Sequence, residues 1–153
     1  MSSELIGVIV GAILAVLGGI AGDIFSAWRE RKREEKSIKI CIRDELAEIE
    51  TITTKMNEVW TTAHVLPDKY VQELLDSTTN YDKLRIRLFL IKEDKTRKDI
   101  NSFYKTLKTA CRTQSDKVGS LSDDPEAQKR QEEANNTFQN LASSAKELQE
   151  KLQ

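Results

Sequence analysis

The chain has 153 residues, of which 32% are charged and 6% aromatic, with six glycines, two prolines and a net charge of −1. Five of the six glycines fall in one early segment, and the charged, Gly-poor, Pro-poor remainder disfavours a β-sandwich or α/β sheet and points to an all-α fold. His64 is the only histidine, which excludes a His-based metal cluster.

From Leu5 to Gly22 no residue carries a charge or a side-chain amide, and after Asp23 the apolar run resumes from Ile24 to Trp28. Twenty-four helical residues extend about 36 Å, enough to cross a hydrocarbon core of about 30 Å with some tilt. Residues 1–28 are therefore expected to form a transmembrane anchor in contact with the lipid bilayer. Gly7, Gly11, Ala15, Gly18 and Gly22 are spaced 4, 4, 3 and 4 apart and share one narrow helical stripe, which Ser26 extends by a turn. Leu5, Ile9, Ile13, Val16 and Ile20 lie opposite. Lipid is as apolar as Leu, so small residues that let two backbones approach are what favour association between spans. The stripe predicts a homo-oligomer.

Residues 1–4 hold no Lys or Arg, whereas Arg29, Arg31, Lys32, Arg33 and Lys36 follow the span. That asymmetry predicts the N-terminus outside and the C-terminal domain in the cytoplasm, for a single pass expected in the cell's inner (plasma) membrane. No basic region precedes the apolar run, as a cleaved signal would require. Trp28 stands where an interfacial ring belongs. Asp23, near the basic flank, is expected to reach the headgroups or pair with Arg29 of a neighbouring copy.

Residues 29–66 read as a long juxtamembrane helix that continues the span without Gly or Pro. Ile42, Ile49, Met56 and Ala63 repeat every seven residues, and Ile38, Ile52, Val59 and Leu66 supply a companion seam that Glu45 interrupts. A coiled coil and the buried stripe of one bundle helix give the same pattern, and periodicity leaves both open. Pro67 is expected to end the helix.

Residues 67–153 read as a cytoplasmic helical bundle that packs with 29–66. A short helix is expected over Asp68–Asp76, and the cluster Ser77, Thr78, Thr79 and Asn80 reads as a turn and a new helix start. Tyr81, Leu84, Leu88 and Ile91 give another apolar stripe, and Leu84 to Leu90 is the one segment with a trace of strand alternation. After a bend near Glu93–Thr96, residues Ile100, Phe103, Tyr104, Leu107, Cys111 and Gln114 predict a helix to about Val118, stopped by Gly119. Ser122 to Glu126 form a start signal for a last helix with Ala134, Phe138, Leu141, Ala145, Leu148 and Leu152 along one face.

Charge alternates along the chain. Residues 44–82 hold nine acids against two bases, net −7, and residues 83–112 hold ten bases against three acids, net +7. Helices packed with opposite charges facing one another are the expected result. Cys41 and Cys111 are isolated and expected to be reduced thiols at small buried positions.

Catalysis needs convergent polar groups, and none can be assembled. No phosphate-binding loop, dinucleotide fingerprint or metalloprotease motif occurs. Neither a Ser nor a Cys has an evident partner base, and His64 reads as a partly buried structural residue. No enzyme activity, no cofactor and no metal are expected. One face could bind an anion: Lys98, Lys105, Lys108 and Arg112, with Asn101, share a side of the Ile100–Val118 helix. RNA, a nucleotide or anionic lipid would suit it, and pairing with the acidic segment 44–82 or plain solvation is the alternative. Asn135-Asn136-Thr137 matches a glycosylation sequon but falls on a cytoplasmic helix.

The glycine-rich span Gly7–Trp28, followed by the Arg/Glu/Lys run Arg29–Lys36 and a charged helical bundle, resembles small prokaryotic anchored proteins encoded beside defence genes. Among these is the oligomeric membrane accessory protein of RNA-targeting type VI-B CRISPR systems. The resemblance carries no diagnostic motif and transfers no site. It implies a ring of subunits whose spans surround a pore and depolarise the membrane in antiviral defence. Two functions remain open on sequence: a pore-forming homo-oligomer, or an anchored adaptor that recruits a soluble protein partner or anionic ligand through its basic helices.

Overall fold

The computed structural model describes residues 3–115 and 125–153, and among these every regular element is helical. The helices are α1 (Ser3–Ala63), α2 (Asp68–Arg85), a 3₁₀ turn (Leu88–Leu90), α3 (Asp94–Ser115) and α4 (Pro125–Lys151). The chain divides into two compact units, Met1–Lys36 and Ser37–Gln153.

The second unit is a helical bundle. Its core gathers Ile38, Ile42, Leu46, Ile49, Ile52 and Met56 of α1 with Val71 and Leu74 of α2, Ile100 and Leu107 of α3, and Phe138, Leu141 and Leu148 of α4. The seven-residue seam of α1 is thus covered by the chain's own helices, which is the bundle reading of that pattern. Neighbouring helices alternate in direction. Asn57 meets Gln139 at 2.6 Å and Glu50 meets Gln149 at 2.9 Å, so α4 descends as α1 rises. Tyr81 on α2 stacks on Tyr104 of α3, and Lys151 of α4 reaches Asp99 of α3 at 2.9 Å.

α1 ends at Ala63, before the Leu66 boundary that Pro67 suggests. His64 takes a left-handed conformation (φ 51°), and its N–H bonds the Trp60 carbonyl at 2.8 Å, a single-bond left-handed helix cap. His64 is exposed, with its ring edge-on to Trp60, and so is not the half-buried residue its position implies. Ala63 is also exposed, so the seam ends a turn early.

The expected break at Ser77–Asn80 does not occur, because α2 runs through it. Ser77 Oγ donates to the Glu73 carbonyl and Thr78 Oγ1 to the Leu75 carbonyl, while both side chains lie buried. With their hydroxyls satisfied by the helix itself, these residues no longer compete with it, and packing overrides their weak propensity. The hint of a strand at Leu84–Leu90 is likewise overturned: that segment is the end of α2 and the 3₁₀ turn. α3 starts at Asp94, where Thr96 Oγ1 donates to the Glu93 carboxylate at 2.7 Å. The stop at Val118–Gly119 and the start at Ser122–Asp124 lie outside the described residues. Asn135, first residue of the sequon, is buried in the bundle and has no room for a glycan.

Candidate functional sites

The first unit is an exposed apolar helix. Val8, Val10, Leu14, Val16, Leu17, Ile20, Ile24 and Phe25 are all exposed, Ile24 at 66%. An 18-residue apolar window of α1 has none of its length buried, and the helix is long and apolar enough to cross a membrane. Fully covering one such side chain is worth about 1.5–3 kcal/mol, so leaving eight in water costs on the order of 10 kcal/mol. That is comparable to the whole stability of a small domain, so a cover is required. The side chains of Leu5, Ile9 and Ile13 lie outside the described residues.

Gly7, Gly11, Gly18 and Gly22 are exposed, as are Ala15 and Ser26. A Cβ added at any of these four glycines, or at Gly19, would meet nothing within 4 Å. Among the described residues no turn, close approach or unusual backbone angle requires glycine there. In water each glycine costs a helix interior about 1 kcal/mol relative to Ala.

At the end of the run, Phe25 and Trp28 stack with centroids 5.9 Å apart. Arg29 places its Cζ 4.6 Å from the Phe25 centroid, and Lys32 its Nζ 4.2 Å from that of Trp28. Helical i, i+4 spacing brings each cation over a ring one turn earlier, where the negative π face attracts it. Aromatic rings backed by cations form the kind of amphipathic girdle that suits a lipid–water boundary.

The basic face is partly committed within the bundle. Lys98 pairs with Asp94 at 2.6 Å on the same helix, and Lys108 with Asp82 at 2.6 Å across to α2. Asn101 accepts the Tyr81 hydroxyl at 2.5 Å. Two of the four cations thus answer acids of their own chain, and Asp82 belongs to the acidic segment. Lys105 instead lines a groove of about 590 Å³ between α3 and α4, with Arg130, Glu133 and several hydroxyls. The hydroxyls of Thr106, Thr109 and Thr137 donate to carbonyls of their own helices, so they offer the groove lone pairs only. Arg112 is exposed.

One buried polar cluster takes its shape only in three dimensions. Glu45, the residue that breaks the apolar seam of α1, is 7% exposed. Its Oε2 accepts the Tyr104 hydroxyl at 3.1 Å, and its Oε1 has no hydrogen-bond partner among the described residues. Tyr104 stacks on Tyr81 with centroids 3.8 Å apart and planes 4° apart. Burial pushes the Glu45 carboxyl from its ordinary 4.5 up to about 7, against the opposing pull of the Tyr104 hydrogen bond. Burial and the nearby carboxylate likewise raise the Tyr104 phenol, and burial takes Tyr81 up to about 12. The sequence signal for this cluster is Glu45 itself, an acid in register with isoleucines.

Cys111 is buried, and burial pushes its thiol up to about 12, far from a nucleophile. Cys41 is exposed, contrary to its expected burial, because it sits on the solvent side of α1 next to the buried Ile42. Among the described residues no three His, Cys, Asp or Glu side chains could hold a metal ion.

These elements define an all-helical protein with a bundle and one helix able to span a membrane. Comparison with protein-family models, curated proteins and solved structures finds no match.

Proposed function

We propose that the chain is a non-enzymatic, single-pass membrane protein that assembles with copies of itself through the Gly7, Gly11, Ala15, Gly18, Gly22 and Ser26 stripe. The observation that carries this reading is the open space around every glycine of an unburied apolar helix. Exposed apolar side chains call for lipid, and glycines that nothing in the chain requires call for a second helix at close range. The basic flank Arg29–Lys36 orients the span with its bundle in the cytoplasm. On this reading the bundle governs assembly, and packed spans provide the material of a pore that depolarises an inner membrane in antiviral defence. The adaptor alternative draws less support, since Lys98 and Lys108 already have carboxylate partners.

Cross-linking in membranes tests the assembly. In a Cys41→Ser background, Ser26→Cys should form dimers with a short thiol cross-linker. Ile24→Cys, about 160° away around the helix, should not. Equal cross-linking at both positions would contradict the stripe.

A further inference from the structure

Two large apolar side chains stand out of the bundle at the corner between α2 and α3: Ile86 at 79% and Phe89 at 68% exposure. Ile86 caps α2 and Phe89 lies in the 3₁₀ turn three residues on, and the two exposed side chains form a ridge on this corner. Leu88 and Ile91, by the same spacing, point inward and are buried.

The ridge is held in place. Arg87 N–H bonds the Leu84 carbonyl at 2.8 Å, and the Leu90 and Ile91 N–H groups bond Arg87 and Leu88 at 3.0 Å. Arg97 Nη1 donates to the Ile91 carbonyl at 2.9 Å, and Nη2 to Asp94 at 2.8 Å. A corner fixed by its own backbone bonds and an arginine strap, yet displaying two bare apolar side chains, is built to present them.

Its charge shows what it is presented to. Arg85, Arg87, Lys92 and Lys95 flank the ridge in sequence and are exposed. Apolar side chains flanked by cations match a surface whose outer layer is anionic and whose interior is hydrocarbon.

Its place in the bundle agrees. α2 turns back along α1 after a four-residue connection, with Tyr81 of α2 beside Glu45 of α1 and a cleft between the two helices lined by Glu48, Ile52 and Lys55 of α1 and Glu73, Ser77 and Asn80 of α2. Each step toward the start of α1 is matched by a step toward the end of α2, which brings Ile38 level with the 3₁₀ turn. The corner is therefore at the end of the bundle where the chain arrives from the basic flank.

We propose that the Ile86–Phe89 ridge is a second membrane contact, seating both side chains in the headgroup layer of an anionic leaflet with Arg85, Arg87, Lys92 and Lys95 among lipid phosphates. The inference rests on the reading that the apolar part of α1 crosses the bilayer. It adds that the bundle itself touches the same bilayer and prefers anionic lipid.

The full-length chain, Cys41→Ser, is labelled with an environment-sensitive dye at Ile86→Cys, Phe89→Cys, Val65→Cys or Ile24→Cys; Cys111 is buried. Each version is reconstituted into vesicles of phosphatidylcholine, alone or with equimolar phosphatidylglycerol, containing lipid spin-labelled near the headgroup. The labels at 86 and 89 are expected to be quenched in the anionic vesicles and several-fold less in the neutral ones. The label at 65, at the other end of the bundle, stays unquenched in both. Quenching at 24 without quenching at 86 and 89 overturns the proposal and leaves the span intact. Absence of quenching at 24 as well removes the span reading and the proposal together. A blue shift at 89 that is the same in both vesicles and in detergent, without quenching, assigns the ridge to a protein contact and also overturns it.

Discussion

Replacing Gly11 and Gly18 together with Leu is expected to raise the dissociation constant for self-association by roughly 100-fold or more, about 3 kcal/mol. Oligomer bands on mild-detergent gels should disappear, together with ion flux from loaded liposomes. The expectation follows from the space around the glycines: within one chain a Cβ added at Gly11 or Gly18 meets nothing within 4 Å, so a loss of assembly points to a neighbouring helix. Leu is also the better helix former by close to 1 kcal/mol per site in water, so a damaged helix cannot account for the loss. The same pair of changes at Val16 and Ile20, already large and on the far side, should leave assembly intact. An adaptor without a pore would keep partner binding in the glycine variant, whereas an unchanged oligomer would remove the stripe from the account.

The second large effect concerns pH. Glu45 titrates near 7 in the folded chain against an ordinary 4.5, so the folded state holds this proton more tightly than the unfolded one. Stability from this group is therefore greatest below about pH 4.5 and is lost as pH rises to about 7, above which the loss is complete. The difference in affinity sets the scale at about 3 kcal/mol. The facing groups are Tyr104 from α3 and Tyr81 from α2, with Glu48 on α1 itself adding to the upward shift. Denaturant unfolding in detergent should show the bundle weakening between pH 5 and 8, and Glu45→Gln should remove most of that slope. Gln keeps an acceptor for the Tyr104 hydroxyl but leaves the space at Oε1 unpartnered, so its gain at pH 8 should fall short of the full amount. A slope that is the same in the variant would place the titration elsewhere.

The all-helical fold and its core were largely legible because apolar residues on a helical period report which face is covered. Phe138, Leu141, Ala145, Leu148 and Leu152 are buried as their spacing indicates. What covers the face is not encoded in the period, so the seam of α1 could not choose between another subunit and its own bundle. Turn residues misled at Ser77–Asn80 because their preference is local, while burial and hydroxyl-to-carbonyl bonds are supplied by the fold. Glu45 was visible as an interruption, but its partner Tyr104 is 59 residues away and only the antiparallel packing brings them together. The Ile86–Phe89 ridge resembled part of a strand, since apolar residues on a 3₁₀ corner show neither helical nor strand periodicity over a useful length. Lys98 and Lys108 formed a basic face in sequence, yet Asp94 and Asp82 answer them in the structure.

All of this hangs on lipid covering the leading segment, and on more than one copy sharing that cover. The most direct check is the mass of the intact particle after alkaline washing of membranes and gentle detergent extraction. The account predicts that the chain stays with the lipid through the wash and is then released as a particle containing several copies. Recovery in the aqueous fraction as a single folded chain would contradict it.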